Sequence, residues 1–169
     1  MSKTKYPNIL ITGTPGTGKT SLAETISEIL QLQRIDVTDL VKRYECHEGK
    51  DEVFDTYILD EDKLLDVMEP IMIEGGKVVD YHSCDFFPER WFDLVLVLTT
   101  NTEILFDRLV SRGYAQNKID ENMECEIMRV VAESAAESYE SEIVHIVPSN
   151  NIEDMENNCE RLKLWYEAW

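Results

Sequence analysis

An α/β domain built around a parallel sheet is the fold class that the sequence predicts, and three observations predict it. Apolar runs too short for helices recur at Asn8 to Thr12, Val78-Val79 and Leu94 to Leu98, as in strands buried on both faces. Segments with apolar residues at three- and four-residue steps alternate with these runs, the order of βαβ units. A glycine-rich turn, Gly13 to Thr20, joins the first run to the first helical segment. At 169 residues the chain is the size of one ordinary domain. No repeat, linker or low-complexity tract divides it, so a single domain over residues 1–169 is expected.

The first strand is expected at Asn8 to Thr12, where β-branched residues run into glycine. Thr20 to Leu30 follows as a helix because Leu22, Ile26, Ile29 and Leu30 share one face. Arg34 to Val37 reads as the second strand, and a helix opens near Thr38-Asp39. Glu45 to Asp62 is acidic, contains Gly49 and shows no clear period, so it reads as an excursion across the surface. Lys63 to Ile73 is helical despite Pro70, and Gly75-Gly76 stops it. Val78-Val79-Asp80 is the third strand and Leu94 to Leu98 the fourth. A helix from about Thr102 to Ser111 leads into Arg112-Gly113-Tyr114 and a polar loop. Asn122 to Glu140 reads as one longer helix, and Ile143 to Val147 as the fifth strand before Pro148. Ile152, Met155, Cys159, Leu162, Trp165, Tyr166 and Trp169 then recur at helical steps, as on a docked amphipathic helix. Its polar face is acidic, unlike that of a membrane-surface helix.

Composition narrows the function classes. The chain carries 34 acidic residues against 16 Lys and Arg, for a formal net charge of -18. Such a surface repels a duplex phosphate backbone, so strong direct nucleic-acid binding is not expected, while a basic protein partner suits it. The first residues are too polar for a signal peptide, and no run approaches the roughly 20 apolar residues of a membrane helix. A soluble intracellular protein with no membrane association is the expectation. Cys46, Cys84, Cys125 and Cys159 form no CxxC pair or Cys/His ligand set and read as reduced structural thiols.

The turn carries the chemistry. Gly13-Thr14-Pro15-Gly16-Thr17-Gly18-Lys19-Thr20 matches G-x-x-x-x-G-K-[ST] at every fixed position. In that motif backbone N–H groups point inward as an anion nest, aided by the N-terminus of the following helix, here from Thr20-Ser21 onward. Lys19 would put a mobile cation on the β- and γ-phosphates of a nucleotide, and Thr20 would offer its hydroxyl to Mg²⁺. The second Mg²⁺ contact is expected from an acid at the end of a neighbouring strand, the place of Asp80. His82, two residues on, is placed to orient water or meet the γ-phosphate. Arg108 and Arg112 are four apart at a helix end and share a face at the start of the polar loop, where guanidinium groups would neutralise phosphate charge on closure. His47 and His145 have no comparable context.

Together with these motifs, Asp39-Leu40, the segment from Asp80 through His82 and Phe86-Phe87-Pro88-Glu89-Arg90 to Trp91, and Arg108-x-x-x-Arg112-Gly113-Tyr114 make the chain resemble an adenylate kinase. More narrowly it resembles the adenylate kinase isoenzyme 6 family, also called coilin-interacting nuclear ATPase. Glu142-Ile143-Val144-His145, Pro148-Ser149-Asn150 and the Trp-rich end agree with it. That resemblance implies a three-layer P-loop NTPase fold with a five-stranded parallel sheet, a monophosphate-binding insertion at about 34–60 and a short lid at about 112–120. It implies transfer of a phosphoryl group from ATP to AMP, or to a related monophosphate, with accompanying ATP hydrolysis. It also implies a role in small ribosomal subunit maturation through a basic ribosomal protein, in nucleus and cytoplasm, and a monomer. The carried-over sites are Arg112 and Asn151 for the donor nucleotide, and Asp39, Lys42, Arg43 and Arg90 for the acceptor. Two positions depart from the family's pattern. Lys42 followed by Arg43 stands where an arginine is common, and Asn151 stands where a lysine often follows Pro-Ser-Asn. Two rivals to nucleotide phosphorylation remain: a kinase for a small hydroxylated substrate with Asp39 as base, and an ATP-driven assembly switch with His82 as its hydrolytic residue.

Overall fold

The computed structural model describes residues 5–53 and 56–169. In chain order its elements are β1 (Ile9–Gly13), α1 (Lys19–Leu30), β2 (Gln33–Asp36), α2 (Val37–Arg43), a hairpin of β3 (His47–Asp51) and β4 (Thr56–Leu59), and α3 (Glu61–Ile73). There follow β5 (Lys77–Asp80), a single 3₁₀ turn (Glu89–Trp91), β6 (Leu94–Thr99), α4 (Thr102–Ser111), α5 (Gln116–Ile127), α6 (Val130–Ser138), β7 (Val144–Pro148) and α7 (Ile152–Ala168). Five strands form one sheet in the order β2-β5-β1-β6-β7, with every pairing parallel.

Strand alternation sorts the apolar side chains into two layers. Ile9, Ile11, Leu94, Leu96 and Leu98 face Leu22 and Ile26 of α1 and Leu162 of α7. Leu10, Val79, Val95 and Val97 face the other way, onto Leu40 of α2, Met68 of α3 and Ala135 of α6. Helices therefore cover both faces, which is why these strands read as continuous apolar runs. A smaller cluster of Leu105, Leu109 and Ile119 joins α4 to α5.

The chain leaves β1 towards β2 and β5 on one side and later builds β6 and β7 on the other. Strand order thus reverses at β1, and a crevice opens at the carboxyl ends of β1 and β5, where open α/β sheets bind ligands.

The three-layer α/β fold and the five parallel strands are as the sequence predicts, and four local readings are corrected. The acidic stretch from Glu45 to Asp62 contains the β3–β4 hairpin, whose strand His47-Glu48-Gly49-Lys50-Asp51 has no apolar alternation to reveal it. Helix α3 begins at Glu61 rather than Lys63 because Asp60 caps it, accepting from Lys63 N at 3.2 Å. Helix α2 likewise begins at Val37, capped by Asp36, which accepts from Asp39 N at 3.3 Å. The polar loop after Tyr114 and the single helix over 122–140 are instead α5 and α6, broken at Arg129, whose φ is 55°. Helix α5 buries only Ile119 fully, too little to print a helical period. All four cysteines are free thiols, and among the described residues no helix is long and apolar enough to cross a membrane.

Candidate active site

The Gly13 to Thr20 turn sits at the mouth of this crevice, between β1 and α1. Gly13 and Gly16 are required there by contact as well as by conformation. Gly16 has φ 98°, and a Cβ on it would lie 2.8 Å from Leu105 Cδ1; on Gly13 it would lie 2.7 Å from the Leu98 carbonyl oxygen. The loop is tied from three sides. Thr17 donates from N and Oγ1 to the Thr14 carbonyl at 3.2 and 2.8 Å. Thr14 Oγ1 donates to Glu126 at 2.9 Å, and the second oxygen of Glu126 accepts from Thr100 N at 2.7 Å. Ser149 Oγ donates to the Thr17 carbonyl. Pro15 is partly exposed on the loop.

Lys19 points into the loop, its ammonium 3.3 Å from the Thr14 carbonyl. Burial pushes its pKa down to about 8, against the pull of Asp80, with Arg112 lowering it further. Thr20 Oγ1 lies 3.3 Å from Asp80 Oδ2, which is buried at the end of β5 in register with Ile11 and Asp36. The same oxygen accepts from Arg34 Nη2 at 2.8 Å. Burial alone would lower the Arg34 pKa, but the hydrogen bond and charge of Asp80 outweigh it and raise it. A hydroxyl and a carboxylate oxygen side by side at a phosphate-binding loop fit Mg²⁺, which takes one or two protein oxygens and completes its shell with water and substrate phosphates. Among the described residues no group of three His, Cys, Asp or Glu could hold a metal ion without such help.

His82 stands on the rim of the crevice, its ring centroid 4.3 Å from that of Tyr81. Desolvation in the crevice, then Lys19 and Lys118, push its pKa down to about 4, so it is a neutral imidazole at pH 7 although it keeps solvent access.

Arg108 and Arg112 play different parts. Arg108 is spent on the scaffold: Nη1 donates to the Gly16 carbonyl at 3.2 Å, the Ser149 carbonyl at 3.0 Å and Thr100 Oγ1 at 3.3 Å, and Nη2 to the Asn150 carbonyl at 3.0 Å. It clamps the glycine loop to the β7–α7 turn. Arg112 is exposed at the end of α4, where its Nη1 donates to Tyr114 Oη at 3.4 Å. Both line a cavity of about 530 Å³ with Gly18, Ser21, Asn151 and Met155. Asn151 also caps α7, accepting from Asp154 N at 2.8 Å.

The residues expected to meet an acceptor lie on the flank formed by α2, α3 and the 3₁₀ turn. Arg90 pairs with Glu69 at 2.8 Å, and that carboxylate also accepts from Trp91 Nε1 at 2.7 Å. Asp39 pairs with Arg43 at 2.9 Å, while Lys42 is exposed beside them. Across the crevice Asn117 Nδ2 donates to the Val53 carbonyl, so the lid side touches the hairpin.

Arg34, Thr100 and Glu126 are the site residues that sequence reasoning passes over. Each acts across a long stretch of chain, and nothing local marks them beyond the position of Arg34 near a strand's carboxyl end.

With this geometry in view, likeness to known proteins is decisive. Residues 9–129 match the family model described as an AAA domain. A protein of Dictyostelium discoideum named adenylate kinase isoenzyme 6 homolog is 53% identical over 167 residues, covering 99% of this chain and 95% of its own. The chain belongs to the adenylate kinase isoenzyme 6 family. The isoenzyme 6 homolog of Schizosaccharomyces pombe is 48% identical, covering 98% of this chain and 94% of its own. The Saccharomyces cerevisiae homolog FAP7 is 45% identical, covering 96% and 83%. Among solved structures, a shikimate kinase from Acinetobacter baumannii in complex with shikimate superposes with a TM-score of 0.65 at 15% identity, covering 97% of this chain and 94% of that one. It shares the fold. Isoenzyme 6 membership and the P-loop kinase fold make this a nucleotide-kinase-like protein, as the sequence resemblance implies.

Proposed function

We propose that the protein transfers the γ-phosphoryl group of MgATP to AMP, giving two ADP. The observation that carries this reading is the Thr20–Asp80 pair beside Lys19 at the sheet's switch point. Backbone N–H groups of the glycine loop and the Lys19 ammonium hold the donor phosphates. Thr20 and Asp80 would hold Mg²⁺, which would supply neutralisation of the donor's phosphate charge. Arg112 closes over the donor, Asn151 lies on its base side, and Arg108 keeps the loop in shape. Arg90, with Lys42, Arg43 and Asp39, receives the acceptor monophosphate. AMP brings an anionic nucleophile of its own, so the protein needs only to align the two phosphates and cancel their repulsion.

A second reading, ATP hydrolysis coupled to assembly of a basic ribosomal protein in the small subunit, draws support from His82. A neutral imidazole near Lys19 is suited to orient water. The acidic surface, net charge -18, suits such a partner, and nuclear and cytoplasmic residence would go with that role. On this reading His82→Gly loses hydrolysis while AMP phosphorylation survives.

The test is ADP production from ATP and Mg²⁺ with and without AMP, the nucleotides being separated chromatographically. Two ADP formed per AMP consumed supports the kinase. ADP and free phosphate released at one rate regardless of AMP would make water the acceptor and leave only the second reading.

A further inference from the structure

Asp80 Oδ2 is held by two donors, Thr20 Oγ1 at 3.3 Å and Arg34 Nη2 at 2.8 Å. We propose that Arg34 is a resident counter-cation, occupying Asp80 in the nucleotide-free protein and competing with the divalent cation for it, so that it sets how much metal the site requires. The inference rests on the reading of Thr20 and Asp80 as the metal-side pair.

Placement comes from the sheet. Arg34 pairs in register with Val78, and Asp36 with Asp80, so Arg34 reaches Asp80 diagonally across two parallel strands. Asp80 is buried, and a buried carboxylate left without a cation is strongly unfavourable. Lys19 feels the charge of Asp80 without touching it, its ammonium being turned to the Thr14 carbonyl. Arg34 is the cation in contact.

The guanidinium also has somewhere to go. Asp36 lies 3.6 Å from Nη2 and Glu24 lies 3.6 Å from Nη1. Its Nε is buried without a hydrogen-bond partner, so the grip on Asp80 leaves the guanidinium's donors incompletely used. When a metal ion draws on Oδ2, two cations would share one oxygen at close range, which is repulsive. Arg34 can then shift onto Asp36 and Glu24 without becoming an unpaired charge. In this arrangement it is a positioning residue that acts through Asp80.

The test uses Mn²⁺ as the probe, with ADP, on the full-length wild type, Arg34→Gln, Arg34→Lys and Asp80→Asn, reading free Mn²⁺ by electron paramagnetic resonance. Removing the competing charge is expected to make Arg34→Gln bind Mn²⁺ roughly tenfold tighter, and Arg34→Lys to return towards the wild type. Without divalent metal Arg34→Gln melts below the wild type, and Mn²⁺ with ADP closes the gap. Unchanged or weaker Mn²⁺ binding in Arg34→Gln would overturn the proposal. Undiminished binding in Asp80→Asn would overturn the metal-side reading itself, and the proposal with it. Should Arg34→Gln fail to fold, the ¹⁵N guanidinium signal of Arg34 in the wild type is followed while Mg²⁺ is titrated into the ADP complex. A shift that saturates with metal supports displacement, and a static signal contradicts it.

Discussion

Glu126 accepts the Thr14 hydroxyl at 2.9 Å, so a residue near the end of α5 braces the phosphate-binding loop from outside. Its other oxygen accepts Thr100 N at 2.7 Å, which ties the same carboxylate to the end of β6. Removing both acceptors leaves the Thr14 hydroxyl only the weak Cys125 sulfur acceptor at 3.7 Å and the Thr100 N–H unpaired, at a cost of about 1–3 kcal/mol. Glu126→Ala is expected to lose stability of that order in urea denaturation and to bind ADP more weakly. Glu126→Gln keeps one acceptor oxygen and should fall between.

Arg108 makes four hydrogen bonds to scaffold oxygens, and lysine cannot reproduce that planar fork. Arg108→Lys should therefore lower stability by about 2 kcal/mol, read as a lower melting temperature, and weaken nucleotide binding. An Arg108 that acted only on the donor phosphates would leave the nucleotide-free melting temperature unmoved.

Lys19 links nucleotide affinity to pH. Burial holds its pKa at about 8, well under the 10.5 of an exposed lysine, and phosphates bind the protonated form. ADP affinity should fall as pH rises through about 8, with proton uptake on binding near that pH, seen by calorimetry in buffers of different ionisation enthalpy. Between about 8 and 10.5 the unfolded chain holds this proton more tightly than the fold does, so Lys19 makes the free protein more stable as pH rises across that range. Lys19→Met should lose both dependences.

Leu105 is fully buried and packs against Gly16, so α4 shapes the loop through its core side chain. Leu105→Ala should cost about 3 kcal/mol in chemical denaturation. It should also loosen nucleotide binding, because the loop loses its floor.

Legibility followed the range over which each signal acts. The central strands declare themselves because both faces are buried and their runs are apolar, as in Leu94 to Leu98, whereas the edge strand β2, Gln33–Asp36, buries only Ile35. The β3–β4 hairpin does not, since its strand of His47, Glu48, Gly49, Lys50 and Asp51, nowhere fully buried, has no apolar face to reveal it. Helix α5 fails for the same reason. In the site, residues contiguous with the glycine turn are readable because backbone geometry dictates their types. Arg34 and Glu126 are not, since their partners lie 46 and 112 residues away, and only the folded sheet brings them together.

The central claim, phosphoryl transfer between nucleotides, is tested most directly by following the label from γ-³²P-ATP in the presence of Mg²⁺ and AMP. Label recovered in the β-phosphate of ADP, lost in Lys19→Ala while that variant still folds, is the predicted result. Label recovered only as inorganic phosphate, with AMP unchanged, would contradict it.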